Sequence, residues 1–250
     1  MPLKSRHKKL NFSRSLLCTI GFYVWAIIIG CVMIATIFLL PKSLFKWLVI
    51  TWAKGNHIIL HLVAGITFEV RGRENIPLEP AIIASKHQSE WETTVFLLLL
   101  DNPVYVIKKE LGFIPGYGQF TKKMGMISID RLGHARALRY LIKQAKKSIN
   151  DNRSLIIFPE GTRVMPGTKI RYQSGVAGIY SNLDVSVVPV IHNSGMHWPP
   201  RSFRKYPGKI ILQFLPAIEP GLNREKFMFR LENTMEEAMS DLLTEVEQKN

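Results

Sequence analysis

The stretch Ser85-Lys86-His87-Gln88-Ser89-Glu90-Trp91-Glu92-Thr93 packs a histidine, several hydroxyls and two carboxylates into one short run. Glu92 follows His87 by five positions and Glu90 by three. A carboxylate bound to one imidazole nitrogen fixes the tautomer and stabilises the imidazolium that forms when the other nitrogen takes a proton. A histidine held in this way can remove the proton of an attacking hydroxyl, help worth about 10²–10⁴ in rate. The same letters also spell an ordinary helix start. Ser89-x-x-Glu92 is a capping box, in which the glutamate satisfies a free backbone N–H of the first turn. The stretch follows the apolar run AIIAS and precedes TTVFLLLL. That places the turn between a strand and a helix, at the strand end where α/β proteins keep their chemistry.

Three later stretches add groups that recognise rather than react. Gly125-Met126-Ile127-Ser128-Ile129-Asp130-Arg131 ends a strand on an acid and a guanidinium. Arg131 is a planar, permanently charged fork suited to phosphate, and Asp130 is placed to orient it. Leu155-Ile156-Ile157-Phe158-Pro159-Glu160-Gly161-Thr162-Arg163 runs a buried strand into a turn. Gly161 permits positive φ or a close backbone approach, Glu160 can accept from substrate hydroxyls, and Arg163 can pair with phosphate. Val187-Val188-Pro189-Val190 is a strand interrupted by proline, which predicts an edge strand or a strand end.

Short apolar runs alternate with amphipathic segments from Thr67 onward. Strands are expected at 67–70, 81–85, 103–107, 126–129, 154–158, 185–191 and 209–215. Helices are expected at 90–100, 113–123, 134–150, 173–181 and 224–248. This alternation predicts an α/β fold with a mostly parallel central sheet flanked by helices. Helix 134–150 carries one apolar stripe, Ala137, Leu138, Leu141, Ile142, Ala145 and Ile149, opposite a face rich in Lys and Arg. That basic face reads as a solvated surface or as one laid against anionic lipid.

The N-terminus is different in kind. No charged residue occurs between Ser15 and Pro41, more than the roughly 20 apolar residues that span a hydrocarbon core. A cleaved signal peptide would have a shorter apolar core and turn polar after it. The next apolar segment, 44–65, carries Lys46, Lys54, His57 and His61. It fits a poor second span or an amphipathic helix lying in the interface. The expected organisation is therefore an N-terminal helical membrane anchor, 1–65, followed by a catalytic domain, 66–250. Lys4, Arg6, Lys8, Lys9 and Arg14 should keep the head cytoplasmic, and a hairpin or re-entrant anchor would return the domain to that side. The net charge of +14 in 250 residues predicts anionic partners. With a membrane segment and no recognition motif, anionic lipids and phosphorylated substrates fit it and nucleic acid does not. Cys18 and Cys31 both lie in the apolar run and form no disulfide framework or zinc spacing.

Taken in order, His87 to Glu92, Gly125 to Arg131, Phe158 to Arg163 and Val187 to Val190 resemble the glycerolipid acyltransferase family, and within it the acyltransferases of 1-acylglycerol 3-phosphate. The resemblance covers roughly Thr67 to Leu215. It departs at Glu92, where the family usually has Asp, and at Ser128, where Phe is usual. It leaves open whether Lys169 or Arg171 replaces a lysine common after the third block.

The resemblance implies transfer of an acyl group from acyl-CoA or acyl-carrier protein to the 2-hydroxyl of lysophosphatidate, giving phosphatidate, with no metal or bound cofactor. His87 would be the base and Glu92 its orienting acid, with Glu90 as a possible substitute. Backbone N–H groups near Ser89 and Glu90 would meet the oxyanion. Arg131 and Arg163, with Lys108 or Lys109, would grip the acceptor phosphate. Glu160, Gly161 and Thr162 would lie near the glycerol. The expected location is the cytoplasmic side of a bacterial inner membrane. Another lysolipid acceptor, such as lyso-ornithine lipid, and an inactive membrane-tethered lipid binder are the alternatives.

Overall fold

A computed structural model describes residues 12–130 and 133–248. Seven strands form one sheet: β1 (Ile66–Arg71), β2 (Ile82–Ser85), β3 (Val104–Lys108), β4 (Ile127–Ile129), β5 (Leu155–Ile157), β6 (Val187–His192) and β7 (Gly208–Phe214). Their order is β1-β7-β6-β2-β5-β3-β4. Every pairing is parallel except β6 with β7. The α/β expectation therefore holds, and all seven expected strands form.

Strand side chains alternate between the two faces, because successive Cβ atoms point opposite ways. Ile82, Leu155, Ile157 and Ile191 join one core; Ile83, Ile156, Val188 and Val190 join the other. Strands buried on both faces read as continuous apolar runs, as IIAS and LII do. The first core is roofed by α5 (His134–Asn150), α6 (Gly175–Tyr180) and α8 (Arg224–Gln248), through Leu141, Val176 and Met235 among others; a single turn, α7 (Ser194–His197), follows β6. The second is roofed by α1 (Phe12–Thr36), α2 (Lys42–Ile59), α3 (Glu92–Leu99) and α4 (Tyr117–Met124). Phe45, Val49 and Ala53 of α2 and Val95 and Phe96 of α3 are fully or almost fully buried there. Truncating Phe96 to alanine would cost about 3–5 kcal/mol.

The expected edge position of Pro189 is not what forms. β6 lies between β7 and β2. Val190 pairs with Phe214, but Val187 bridges to Ile218, so the register slips by one across the proline. Leu215 donates its N–H to the Pro189 carbonyl at 2.9 Å, and the return bond is the one proline cannot make. A bulge is the interior place where a strand tolerates that loss. The expected helix 113–123 also divides: a 3₁₀ turn covers Lys109–Phe113, and α4 starts at Tyr117, after Pro115 and Gly116.

Helix α1 is about 37 Å long at 1.5 Å per residue, and it is the one described helix long and apolar enough to cross a membrane. It is nevertheless docked on the domain. Trp25 Nε1 donates to the Trp52 carbonyl at 3.0 Å. Gly55 makes this approach possible, since a Cβ there would stand 2.2 Å from the Trp25 ring. Phe22 stacks on Trp198 at 5.3 Å, and Ser15 and Lys205 exchange hydrogen bonds. The other side of α1 is bare: Leu17, Ile20, Tyr23, Ile27 and Ile34 are exposed, with Phe38 and Leu39 in the turn that follows. Segment 44–65 packs on the sheet. Its α2 and the wider turn Leu60–Ala64 lie across the sheet.

Candidate active site

His87 leaves the carboxyl end of β2, in the middle of the sheet. Its peptide is fixed on both sides. The N–H donates to Glu160 Oε2 at 2.7 Å, and the carbonyl accepts from Val164 N–H at 2.8 Å. The ring stacks on Phe158 at 4.2 Å with planes 17° apart. Its Nδ1 lies 2.8 Å from Glu92 Oε1.

Glu92 is fully buried and opens α3. Oε1 also accepts from the N–H groups of Gln88 and Ser89, both at 2.9 Å. Oε2 accepts from Ser89 N–H at 3.1 Å, Ser89 Oγ at 2.8 Å and Ser194 Oγ at 3.1 Å. Burial alone would raise this carboxyl's pKa. The bond to His87, the nearby imidazoles and the Ser89 N–H outweigh it and bring it down to about 2. Glu92 is thus ionised and can only accept, so His87 Nδ1 carries the proton. In a neutral ring Nε2 then holds the lone pair, and His87 lines the cleft. One side chain, that of Glu92, both accepts backbone N–H groups before α3 and binds the His87 ring.

The two glutamates are not equivalent. Glu90 is exposed and pairs with Arg163 at 3.0 Å. The extra methylene of Glu92 does not break the contact with the imidazole; it lets the carboxylate span the turn. Of the N–H groups expected to meet an oxyanion, that of Ser89 is given to Glu92.

Behind His87 lies a cluster that the sequence does not announce. Lys86 Nζ reaches Glu160 Oε1 at 2.5 Å and Glu236 Oε1 at 2.7 Å. Tyr172 Oη donates to the same Glu236 oxygen at 2.9 Å. The side chains of Lys86 and Glu160 are 3% and 0% exposed, so the pair is shielded from water and from salt. Burial pushes the Glu160 carboxyl up, opposed by the Lys86 ammonium. Glu160 also holds the His87 peptide from behind, and it lines the cleft. Glu236 comes from α8, far along the chain, and no local motif points to it. Also buried, His192 caps the Lys86 carbonyl through Nε2 at 2.9 Å. Burial lowers its pKa, against the pull of Glu92.

The cleft beside His87 has a volume of about 1230 Å³. Its polar mouth includes Gly161, Thr162, Arg163 and Lys108, and its apolar depth includes Leu97, Tyr105, Leu138 and Ile157. Gly161 has φ +68, the left-handed geometry expected of it. Lys109 pairs with Asp130 at 3.1 Å on the surface. Asp130 therefore has a cationic partner other than the one expected, and Arg131 lies outside the described residues. Lys169 and Arg171 are exposed.

The family model described as Acyltransferase matches residues 67–193, the span that carries His87, Glu92, Glu160 and Arg163 but not Ser194 or Glu236. A 1-acyl-sn-glycerol-3-phosphate acyltransferase of Pseudomonas aeruginosa is 33% identical over 205 residues, 82% of this chain and 80% of the relative. The chain belongs to the acyltransferase family. An enzyme of the same name from Limnanthes alba is 32% identical over 189 residues, 72% of the acyltransferase chain and 66% of the relative. The crystal structure of the 1-acyl-sn-glycerophosphate acyltransferase PlsC from Thermotoga maritima superposes with a TM-score of 0.73 at 24% identity, covering 92% of this acyltransferase and 96% of that chain. It shares the fold.

Proposed function

We propose that this acyltransferase moves a fatty acyl group from a thioester to the free hydroxyl of 1-acylglycerol 3-phosphate, giving phosphatidate. One observation carries the chemistry: an imidazole that lines the cleft and whose Nδ1 is tied to a buried, ionised Glu92. The family membership and the names of the relatives support the substrate.

His87 Nε2 takes the hydroxyl proton as the oxygen attacks the thioester carbonyl. Glu92 stabilises the imidazolium that results. The tetrahedral intermediate collapses, the C–S bond breaks, and the sulfur leaves as a thiolate that recovers the proton from His87. An ordinary thiol pKa is about 8.5, so the leaving group needs little further help. A covalent acyl-cysteine is disfavoured by position, since Cys18 and Cys31 both lie on α1. Arg163, Arg131 and Lys108 act on the acceptor phosphate, with Lys109 at the rim. Gly161 and Thr162 lie beside the glycerol, and Glu160 acts through His87. The acyl chain occupies the apolar depth of the cleft.

The bare side of α1 seats the domain on a bilayer from one side, with α2 fixed to the sheet beneath it. Anionic lipid favours the basic head, at about 1 kcal/mol per basic residue near the surface. The charges flanking the apolar run favour the cytoplasmic face of a bacterial inner membrane.

The test is an assay of the purified acyltransferase with lysophosphatidate and an acyl thioester. His87→Ala is expected to lose about 10³-fold or more in kcat, as removal of a general base does, with its circular dichroism unchanged. Wild-type turnover from a folded His87→Ala variant would sink the proposal.

A further inference from the structure

Helix α5 has two unlike sides. Arg136, Arg139, Lys143 and Lys146 are exposed and fall on one face at spacings of three and four residues. None of them has a carboxylate partner among the described residues, and α5 itself contains no acidic residue. Like charges at these spacings destabilise a helix, so the face is set against the helix's own stability. The opposite side supplies Ala137, Leu138 and Leu141 to the wall of the cleft that holds His87, and Ala135 lines the cleft from the first turn of the helix.

Position decides what the basic face can meet. The apolar hairpin α1–α2 covers one face of the sheet, and α5 lies on the other, with α6 and α8. A bilayer under the hairpin therefore does not lie under α5. Only Lys147, at the far end of α5, comes near that side, through Lys42 of α2. The four cations span about 15 Å of helix. A nucleotide thioester concentrates its phosphates on one small head, whereas this row matches an extended acidic surface.

We propose that this face of α5 docks a small acidic carrier protein bearing the acyl chain as a thioester on a flexible arm. The arm enters the cleft past His134 and Ala135, at the N-terminal end of α5. The inference rests on the thioester reading of the site and adds a partner and a surface to it.

The test compares the full-length acyltransferase with Arg136→Gln/Arg139→Gln/Lys143→Gln/Lys146→Gln and with the single reversal Lys143→Glu. Both are assayed with lysophosphatidate and either acyl-carrier protein or acyl-CoA of the same chain length. Loss of four rim charges predicts a KM for the carrier raised about tenfold, which is about 1.4 kcal/mol. The salt dependence of kcat/KM with the carrier should flatten. Turnover of acyl-CoA should stay within about twofold of wild type, which also reports an intact fold. An unchanged KM for the carrier overturns the proposal, as does a wild-type enzyme that accepts only acyl-CoA. Equal losses with both donors assign the row to nucleotide phosphates instead. Lost binding to phosphatidylglycerol vesicles, with both donors unaffected, assigns it to lipid. If wild type transfers from neither donor, the thioester reading itself is at fault.

Discussion

The two halves of the site are built differently. Around His87 each group has several partners, nearly all buried: Glu92 accepts from five donor groups, and Lys86 is shared by two carboxylates. At the mouth, Arg163 holds one exposed glutamate and Lys109 one exposed aspartate. The proposed base must sit within a few tenths of an ångström of its working position, which over-determined burial provides. The proposed phosphate grip must exchange partners at each turnover, which weak surface pairs permit. The difference predicts that equal-looking charge removals in the two halves have very unequal effects.

The largest contrast is between the carboxylates of the opening stretch. Glu92→Ala frees the His87 ring and leaves the N–H groups of Gln88 and Ser89 unpaired. It should reduce kcat by about 10²–10⁴. Glu92→Gln adds a test by pH. The folded-state pKa of Glu92 is depressed to about 2 from 4.5. Its stabilisation is therefore fully present above 4.5 and is lost as pH falls toward 2. Urea titrations should show the gap between wild type and Glu92→Gln narrowing below pH 4.5. A gap that widens in acid would mean that Glu92 is not held ionised.

The buried cluster comes next. Lys86→Met strands two carboxylates and should destabilise by about 3–5 kcal/mol, with an order of magnitude lost in kcat through the Glu160 bond to His87. Adding Glu236→Met removes one stranded charge. The double variant should then be more stable than Lys86→Met alone, a coupling read from the four urea midpoints. A kcat unchanged in a folded Glu236→Met would show that α8 braces the fold and not the histidine.

Much of the first half was legible in the sequence because it is local. His87, Ser89 and Glu92 lie within one turn, and the contacts of Glu92 with the Ser89 N–H and with the His87 ring could both be read from their spacing. The strands were legible for a similar reason: two-sided burial leaves unbroken apolar runs. What escaped depends on contacts between distant segments. Lys86 reads as a surface lysine until Glu160 and Glu236 meet it across 74 and 150 positions of chain. Pro189 reads as an edge signal until β7 slips register beside it. Segment 44–65 reads as a greasy, charged outlier until α2 is seen across the sheet, with Lys46 and Lys54 turned away from the core that buries Phe45 and Ala53.

The smallest expected effect is the sharpest test of the comparison. Glu90 and Arg163 are 57% and 32% exposed and lie 3.0 Å apart. Such a pair is worth about 0–1 kcal/mol, and one kcal/mol is about a fivefold change in a binding constant. Arg163→Ala should raise the KM for lysophosphatidate and leave kcat nearly unchanged, because it removes binding that ground state and transition state share. Glu90→Ala should act in the opposite direction. It frees Arg163 for phosphate and should lower that KM, by no more than about fivefold. Glu90 and Glu92 are two residues apart and chemically identical, so burial and partner number alone separate their effects. A loss in Glu90→Ala as large as in Glu92→Ala would mean that the histidine draws on both carboxylates and that the division between fixed base and exchangeable rim is false.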